Sequence, residues 1–155
     1  MDYTVRKIIP EELPILTELF DYNDIPGMIE ENTRLLENGT DDIFVLFQQE
    51  NLLGELHVRY ESTDVREAAK GRRAYLYAFR IHMEHQGLGL GKFLLRTVIN
   101  LLSESGYSEF TVGVEDDNSR AIHIYQSFGF KEIIARKYEE YQGDGYEYNL
   151  YLKNN

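Results

Sequence analysis

The opening stretch of this chain, residues 3–8, Tyr-Thr-Val-Arg-Lys-Ile, alternates and is rich in β-forming residues, so it reads as an opening strand. Pro10-Glu11-Glu12 follows as a helix start, because proline tolerates the first turn and acids there suit the helix dipole. Leu13, Ile15, Leu16, Leu19 and Phe20 extend it as an apolar helical stripe. Turn residues 21–27 break that pattern, and a shorter helix is predicted over 28–38, stopping at Asn38-Gly39. Ile43–Phe47 and Leu52–Tyr60 then read as a hairpin. In the second strand Leu52, Gly54, Leu56, Val58 and Tyr60 share one face, and Leu53, Glu55, His57 and Arg59 take the other.

Residues 61–73 are polar and read as a mobile loop. An apolar, aromatic run over 74–81 predicts a buried strand, and residues 93–102 predict a helix that runs to about Ser105-Gly106. Glu109–Val114 reads as a strand. Asp117 or Asn118 is placed to cap a helix carrying Ala121, Ile122, Ile124, Tyr125 and Phe128, ended by Gly129. Phe130 to about Tyr141 and Tyr146 to Leu152, joined by Gln142-Gly143-Asp144-Gly145, form a closing hairpin. This order predicts one α/β (α+β) domain over residues 1–155. It implies three layers: a mixed, mostly antiparallel sheet of about seven strands with helices on both faces.

Composition narrows the function. The hydrophobic share of 43% and charged share of 28% are ordinary for a globular chain. Cysteine is absent, which excludes disulfides, a thiolate nucleophile and a cysteine zinc site. His82, His85 and His123 make no paired-ligand spacing, so no metal is expected. No apolar run reaches 18 residues and no signal-peptide core opens the chain, so a cytoplasmic protein with no membrane partner is expected. Net charge is −11, and residues 1–60 carry 13 acids against 4 bases. With no basic stripe, nucleic acid is not an expected partner. The acidic part favours a cationic partner, or serves only solubility.

The chemistry points to Gln86-Gly87-Leu88-Gly89-Leu90-Gly91-Lys92, where a buried strand hands over to a helix. A helix N-terminus offers unpaired N–H groups and partial positive charge, and glycines let an anion approach the backbone. The phosphate loop GxxxxGK[ST] fails here, since Phe93 follows Lys92 and no glycine stands at 86. The dinucleotide fingerprint GxGxxG is incomplete, since Lys92 and Leu94 stand where its third glycine would be. A third pattern, [Q/R]-x-x-G-x-[G/A], is met in full.

That pattern resembles the GNAT N-acetyltransferases, which bind acetyl-CoA. The resemblance extends to a second segment, in which Asn118, Tyr125, Gly129 and Phe130 match the family's spacing. It implies that Gly87 to Lys92, after Gln86, hold the CoA pyrophosphate. It implies that Phe79, Arg80 and Ile81 give backbone contacts to the pantetheine, the Phe79 N–H also polarising the thioester carbonyl. Arg80 itself is expected to point its side chain outward. Asn118 would bond the pantetheine arm or cap its helix, and Tyr125 would be the general acid toward the CoA sulfur. The implied reaction is direct acetyl transfer to a primary amine of a small molecule or peptide.

The chain departs from the family at the general base. Tyr75 and Gly113 stand where relatives carry glutamate, leaving Glu55, His57, Tyr77, Glu84 and Glu115 as unranked substitutes. This departure also admits a non-catalytic acyl-CoA-binding module. By resemblance the acceptor lies between residues 21–40, with Asp21, Tyr22, Asp24, Glu30 and Glu31, and the hairpin 138–148, with Tyr138, Tyr141, Tyr146 and Tyr148. Acids and aromatics suit an ammonium-bearing acceptor, while a solvated loop or a tyrosine-rich homodimer face would use the same residues.

Overall fold

The computed structural model describes residues 2–141 and 143–155, without the side chain of Tyr141. The strands are β1 (Tyr3–Lys7), β2 (Asp41–Gln48), β3 (Asn51–Arg59), β4 (Arg73–Ile81), β5 (Glu109–Val114), β6 (Glu132–Tyr141) and β7 (Asp144–Asn154). The α-helices are α1 (Met28–Glu37), α2 (Leu90–Glu104) and α3 (Ser119–Ser127). Short 3-10 segments cover Pro10–Glu18, Tyr22–Asp24 and Met83–His85. The strands form a mixed seven-stranded sheet of order β1-β2-β3-β4-β5-β7-β6, as the element order predicts.

Two compact units divide the chain. One comprises Met1–Arg59 and Tyr77–Leu101, the other Tyr60–Leu76 and Leu102–Asn155. In the first unit β1 pairs antiparallel with β2, and β2 with β3. Ile8, Leu13, Leu16, Ile43, Val45 and Leu52 bury a core under the 3-10 segment. The predicted α-helix from Pro10 is a 3-10 helix because Pro14 stands inside it, removing a backbone donor and crowding the turn before it. β3 is buried along nearly its whole length rather than on a single face.

In the second unit β5 pairs antiparallel with β7, and β7 with β6. Its core centres on Phe110, Val112, Phe130, Leu150 and Leu152. The start of β4 runs parallel to β5, from Arg73↔Glu109 to Leu76↔Val112. Two residues later Ala78 adopts φ 48°, a left-handed conformation uncommon for a residue with a Cβ. Residues 61–73, expected as a mobile loop, are instead pinned. Lys137 Nζ lies 3.0 Å from both Asp64 and Glu67 carboxylates, and Thr111 Oγ1 donates to the Glu67 carbonyl at 2.6 Å. Ala68 is fully buried there. β7 begins at Asp144, two residues before the predicted strand start at Tyr146; Gln142 of the expected turn lies outside the described residues.

Candidate functional site

The glycine turn lies in the first unit. Gly87 (φ 82°) and Gly89 (φ 78°) take left-handed conformations, which their lack of Cβ permits. No other group approaches within 4 Å of where their side chains would be, so their backbone is open. The Phe93 N–H makes the first helical bond, to the Gly89 carbonyl at 3.1 Å. The N–H groups of Leu90, Gly91 and Lys92 therefore have no acceptor within the helix. The Gln86 amide donates to the Ile81 carbonyl at 3.1 Å, tying the turn to the end of β4. A side chain at Gly91 would meet Phe79 at 3.4 Å and Ile81 at 3.7 Å, so this glycine lets α2 start close against β4. Leu90 is buried while Leu88 is 66% exposed, so Leu90 can offer a ligand only its backbone.

Arg80 departs from its expected outward orientation. Its guanidinium lies 3.9 Å from the Phe20 ring centroid and donates to the Tyr22 hydroxyl at 3.0 Å. That hydroxyl in turn donates to Glu55 Oε1 at 2.5 Å. His57 Nε2 lies 2.6 Å from the same carboxylate oxygen and 3.1 Å from the Tyr22 oxygen. Tyr22, Glu55 and His57 are all buried. Burial and the neighbouring Glu55 charge raise the Tyr22 phenol, so it stays neutral. Tyr22 is thus a core residue rather than a lining of an open segment. Sequence reading missed this cluster; its one signal was Glu55 and His57 at alternate positions of a strand otherwise apolar enough to be buried. Nearby in the same unit, Asp41 accepts from both Arg59 (2.9 Å) and the Tyr77 hydroxyl.

The second unit holds a cavity of about 310 Å3, lined chiefly by Tyr75, Glu115, Asn118, Tyr125, Tyr146 and Tyr148. Asn118 caps α3 by accepting the Ala121 N–H at 3.2 Å, which leaves its amide nitrogen as a donor. Tyr125 follows two turns later, and its ring packs edge-on against buried Phe130 at a centroid distance of 5.6 Å. Phe130 therefore packs against the Tyr125 ring from the core. Burial pushes the Tyr125 hydroxyl up to about 12, which keeps it protonated at neutral pH. Tyr146 and Tyr148 donate to the Glu139 carboxylate at 2.8 and 3.2 Å. Burial also raises Tyr75 and Tyr148, with nearby Glu139 and Glu67 adding to the effect.

Tyr75 and Gly113, the two positions without the expected glutamate, lie beside each other in the second unit. A Cβ at Gly113 would lie 2.6 Å from the Tyr148 ring and 3.4 Å from the Tyr75 hydroxyl. The two tyrosines thus occupy the space that a side chain at 113 would need. Among the substitutes considered for the base, Glu55 and His57 are sealed in the first unit's core, Tyr77 is bound to Asp41, and Glu84 is exposed on a 3-10 turn. Glu115 lines the cavity that holds Tyr125. The expected acceptor segment at 21–40 is mostly exposed, with Glu31 paired to Arg34 at 2.6 Å. Of the hairpin tyrosines, Tyr146 and Tyr148 reach the cavity and Tyr138 is 59% exposed; the side chain of Tyr141 lies outside the described residues. No helix of the described residues is long and apolar enough to cross a membrane.

The chain is similar to several known proteins. The chain is 36% identical over 61 residues to human N-acetyltransferase 8B, covering 39% of this chain and 27% of that protein. It is 34% identical over 59 residues to the L-amino acid N-acyltransferase MnaT of Escherichia coli K12, covering 38% and 34%. The matched stretch thus spans about a third or less of each relative's length. A GNAT family acetyltransferase of Elizabethkingia anophelis, solved with acetyl-CoA bound, superposes with a TM-score of 0.71 at 13% identity over 98% of this chain and 97% of that one, a likeness of fold. The acetyltransferase (GNAT) family profile matches residues 9–130, which include both the glycine turn and the Asn118–Phe130 segment, and the chain belongs to that family.

Proposed function

We propose that the protein moves an acetyl group from acetyl-CoA to a primary amine by direct transfer. The reading rests on family membership together with one observation: Tyr125, at the family's acid position, lines a cavity as a neutral phenol. The open N–H groups from Gly87 to Lys92 hold the CoA pyrophosphate, as a helix N-terminus does for anions. The backbone of Phe79, Arg80 and Ile81 contacts the pantetheine arm, and the Asn118 amide donates to it. The Phe79 N–H stabilises the oxyanion of the tetrahedral intermediate.

The amine must first lose a proton to solvent so that its lone pair is free. The C–N bond then forms at the thioester carbonyl carbon. The second nitrogen proton passes to the Glu115 carboxylate, directly or through water. As the C–S bond breaks, the departing sulfur takes the phenolic proton of Tyr125. Solvent returns the proton from the Glu115 carboxyl to the Tyr125 phenolate, and both residues are reset.

Acetyl-CoA consumption with thiol release, measured across a panel of amines, tests the reaction. Tyr125→Phe should lower kcat by roughly 10²- to 10⁴-fold, the usual span for a general acid, while calorimetry finds acetyl-CoA affinity unchanged. Equal turnover would remove Tyr125 from the mechanism. A second reading, an acyl-CoA-binding module without turnover, is favoured by the lack of a carboxylate at Tyr75 and Gly113. Acetyl-CoA binding with no thiol release from any amine would select it.

A further inference from the structure

β4 carries the backbone groups that the acetyl-transfer reading assigns to acetyl-CoA, and a strained residue stands just before them. Ala78 takes φ 48°, a left-handed conformation that a Cβ disfavours. Among the described residues the other non-glycine with a positive φ is Gln49, in the turn between β2 and β3, where such backbone is common. Inside a strand it persists only where the surroundings over-determine it.

Both ends of the strained segment are tied. Before Ala78, the Tyr77 hydroxyl donates to Asp41, which also accepts from Arg59 at 2.9 and 3.0 Å. Beyond Ile81, the His82 N–H donates to the Leu53 carbonyl at 2.7 Å. Between them β3 admits the backbone at a glycine: a Cβ at Gly54 would lie 3.0 Å from the Arg80 carbonyl oxygen.

The middle is held by a side chain. The Arg80 guanidinium lies over the Phe20 ring, 3.9 Å from its centroid, donates to the Tyr22 hydroxyl at 3.0 Å and sits 3.6 Å from Glu55 Oε1. Its partners are fixed in turn. Tyr22 is buried and donates to Glu55 at 2.5 Å, and Glu55 is fully buried on β3 with His57 Nε2 at 2.6 Å. A planar guanidinium can cover a ring while its edge donates, which a compact ammonium cannot.

We infer that Arg80 is a positioning residue for acetyl transfer: its clamp on Phe20, Tyr22 and Glu55 keeps Ala78 left-handed and so sets the direction of the next N–H, that of Phe79. The inference rests on the acetyl-transfer reading for what that N–H meets, and on the packing alone for the clamp.

Arg80→Met keeps the apolar stem and removes the guanidinium. The NMR shifts of isotope-labelled alanine should then show Ala78 leaving the left-handed region. Turnover (kcat) should fall about tenfold to a hundredfold, as a misplacement of about 1 Å does. Calorimetry should find the acetyl-CoA dissociation constant within about threefold of the parent, since the turn at Gly87 to Lys92 is untouched. Arg80→Lys keeps a charge beside Glu55, so it protects the fold, and should show the same changes at smaller size. Adding Ala78→Gly to Arg80→Met should restore kcat by at least about threefold, because glycine holds a positive φ without a clamp. A role confined to stability gives no such recovery. An Ala78 signal unmoved in both variants would overturn the clamp. A moved signal with kcat within about twofold of the parent would overturn the positioning role, as would no recovery on adding the glycine. If the parent protein releases no thiol with any amine, the transfer reading fails, and the Ala78 signal alone decides the clamp.

Discussion

The Tyr22–Glu55–His57–Arg80 cluster of the first unit and the tyrosine cavity of the second use the same ingredients, phenols and carboxylates, under opposite solvent conditions. In the first, Glu55 is fully buried and must find its partners within the protein: a phenol at 2.5 Å, an imidazole at 2.6 Å and a guanidinium at 3.6 Å. Even so, Glu55 Oε2 and His57 Nδ1 have no hydrogen-bond partner among the described residues. In the second, Glu115 is exposed and Glu139 reaches out to two phenols from an exposed position. Water can enter there, protons can exchange, and a ligand can replace the water. Equivalent chemistry therefore serves packing in one unit and lines an open cavity in the other, and the deciding variable is solvent access. Among the carboxylates considered for the general base, burial sets Glu55 apart, and of the exposed pair Glu84 and Glu115 the cavity that holds Tyr125 is lined by Glu115.

The comparison breaks first at its sealed side. Glu55→Ala leaves His57 and Tyr22 buried without their shared acceptor, and removing one partner of a buried polar network costs about 3 kcal/mol or more. Urea denaturation should show a lower midpoint with an unchanged slope; a loss below about 1 kcal/mol would mean that solvent or repacking already satisfies the cluster. Gly113→Ala probes the open side. Its new Cβ would press on the Tyr148 ring at 2.6 Å. Overpacking of this kind costs about 1–3 kcal/mol, and moving the ring strains the Tyr148–Glu139 bond. Lower thermal stability and a raised KM for the amine are expected together; loss of stability with unaltered KM would separate Tyr148 from the acceptor.

The smallest effect lies outside both clusters and calibrates them. Arg6 donates to Glu12 at 2.8 Å, and that bond, aided by the Ile9 N–H, lowers the Glu12 carboxyl from 4.5 to about 2. A depressed folded value means stability that is complete above the unfolded value and lost as pH falls through about 4.5 to 2. The pair is partly exposed, so screening limits its worth to about 0.5 kcal/mol. Glu12→Gln should flatten the acid limb of stability by that much and leave stability at pH 7 nearly as far reduced. A loss there comparable with Glu55→Ala would contradict the contrast between exposed and sealed carboxylates.

Where local pattern decides local structure, the sequence was readable. The glycine turn, the Asn118 cap and the stop at Gly129 depend on backbone preferences of single residues, and each stands where the pattern places it. The helix from Pro10 was misread because its apolar spacing favoured an α-helix and Pro14 overrode it. The stretch before β4 is a loop, as the pattern reads it, but its anchoring was not legible, because Lys137 is 70 residues from Glu67 and a polar stretch does not announce a distant partner. Arg80 was misread for a similar reason: strand alternation gives a side, but only Phe20 and Tyr22 make that side a packed one.

Sequence by itself thus determined the family, the order of elements and the positions at which acetyl-CoA chemistry is proposed, because spacing along a chain is preserved in local turns and helix faces. Tertiary structure decided which carboxylates meet water. Glu55 stands inside a strand and Glu115 just past the end of one, each next to an apolar residue. Burial is set by what packs from elsewhere in the chain: Tyr22 and Arg80 close over Glu55, while the ring of Tyr148 fills the space beside Gly113 and leaves Glu115 on the rim of a cavity. Only the folded chain assigns those neighbours, and with them the difference between a structural carboxylate and one that a ligand can reach.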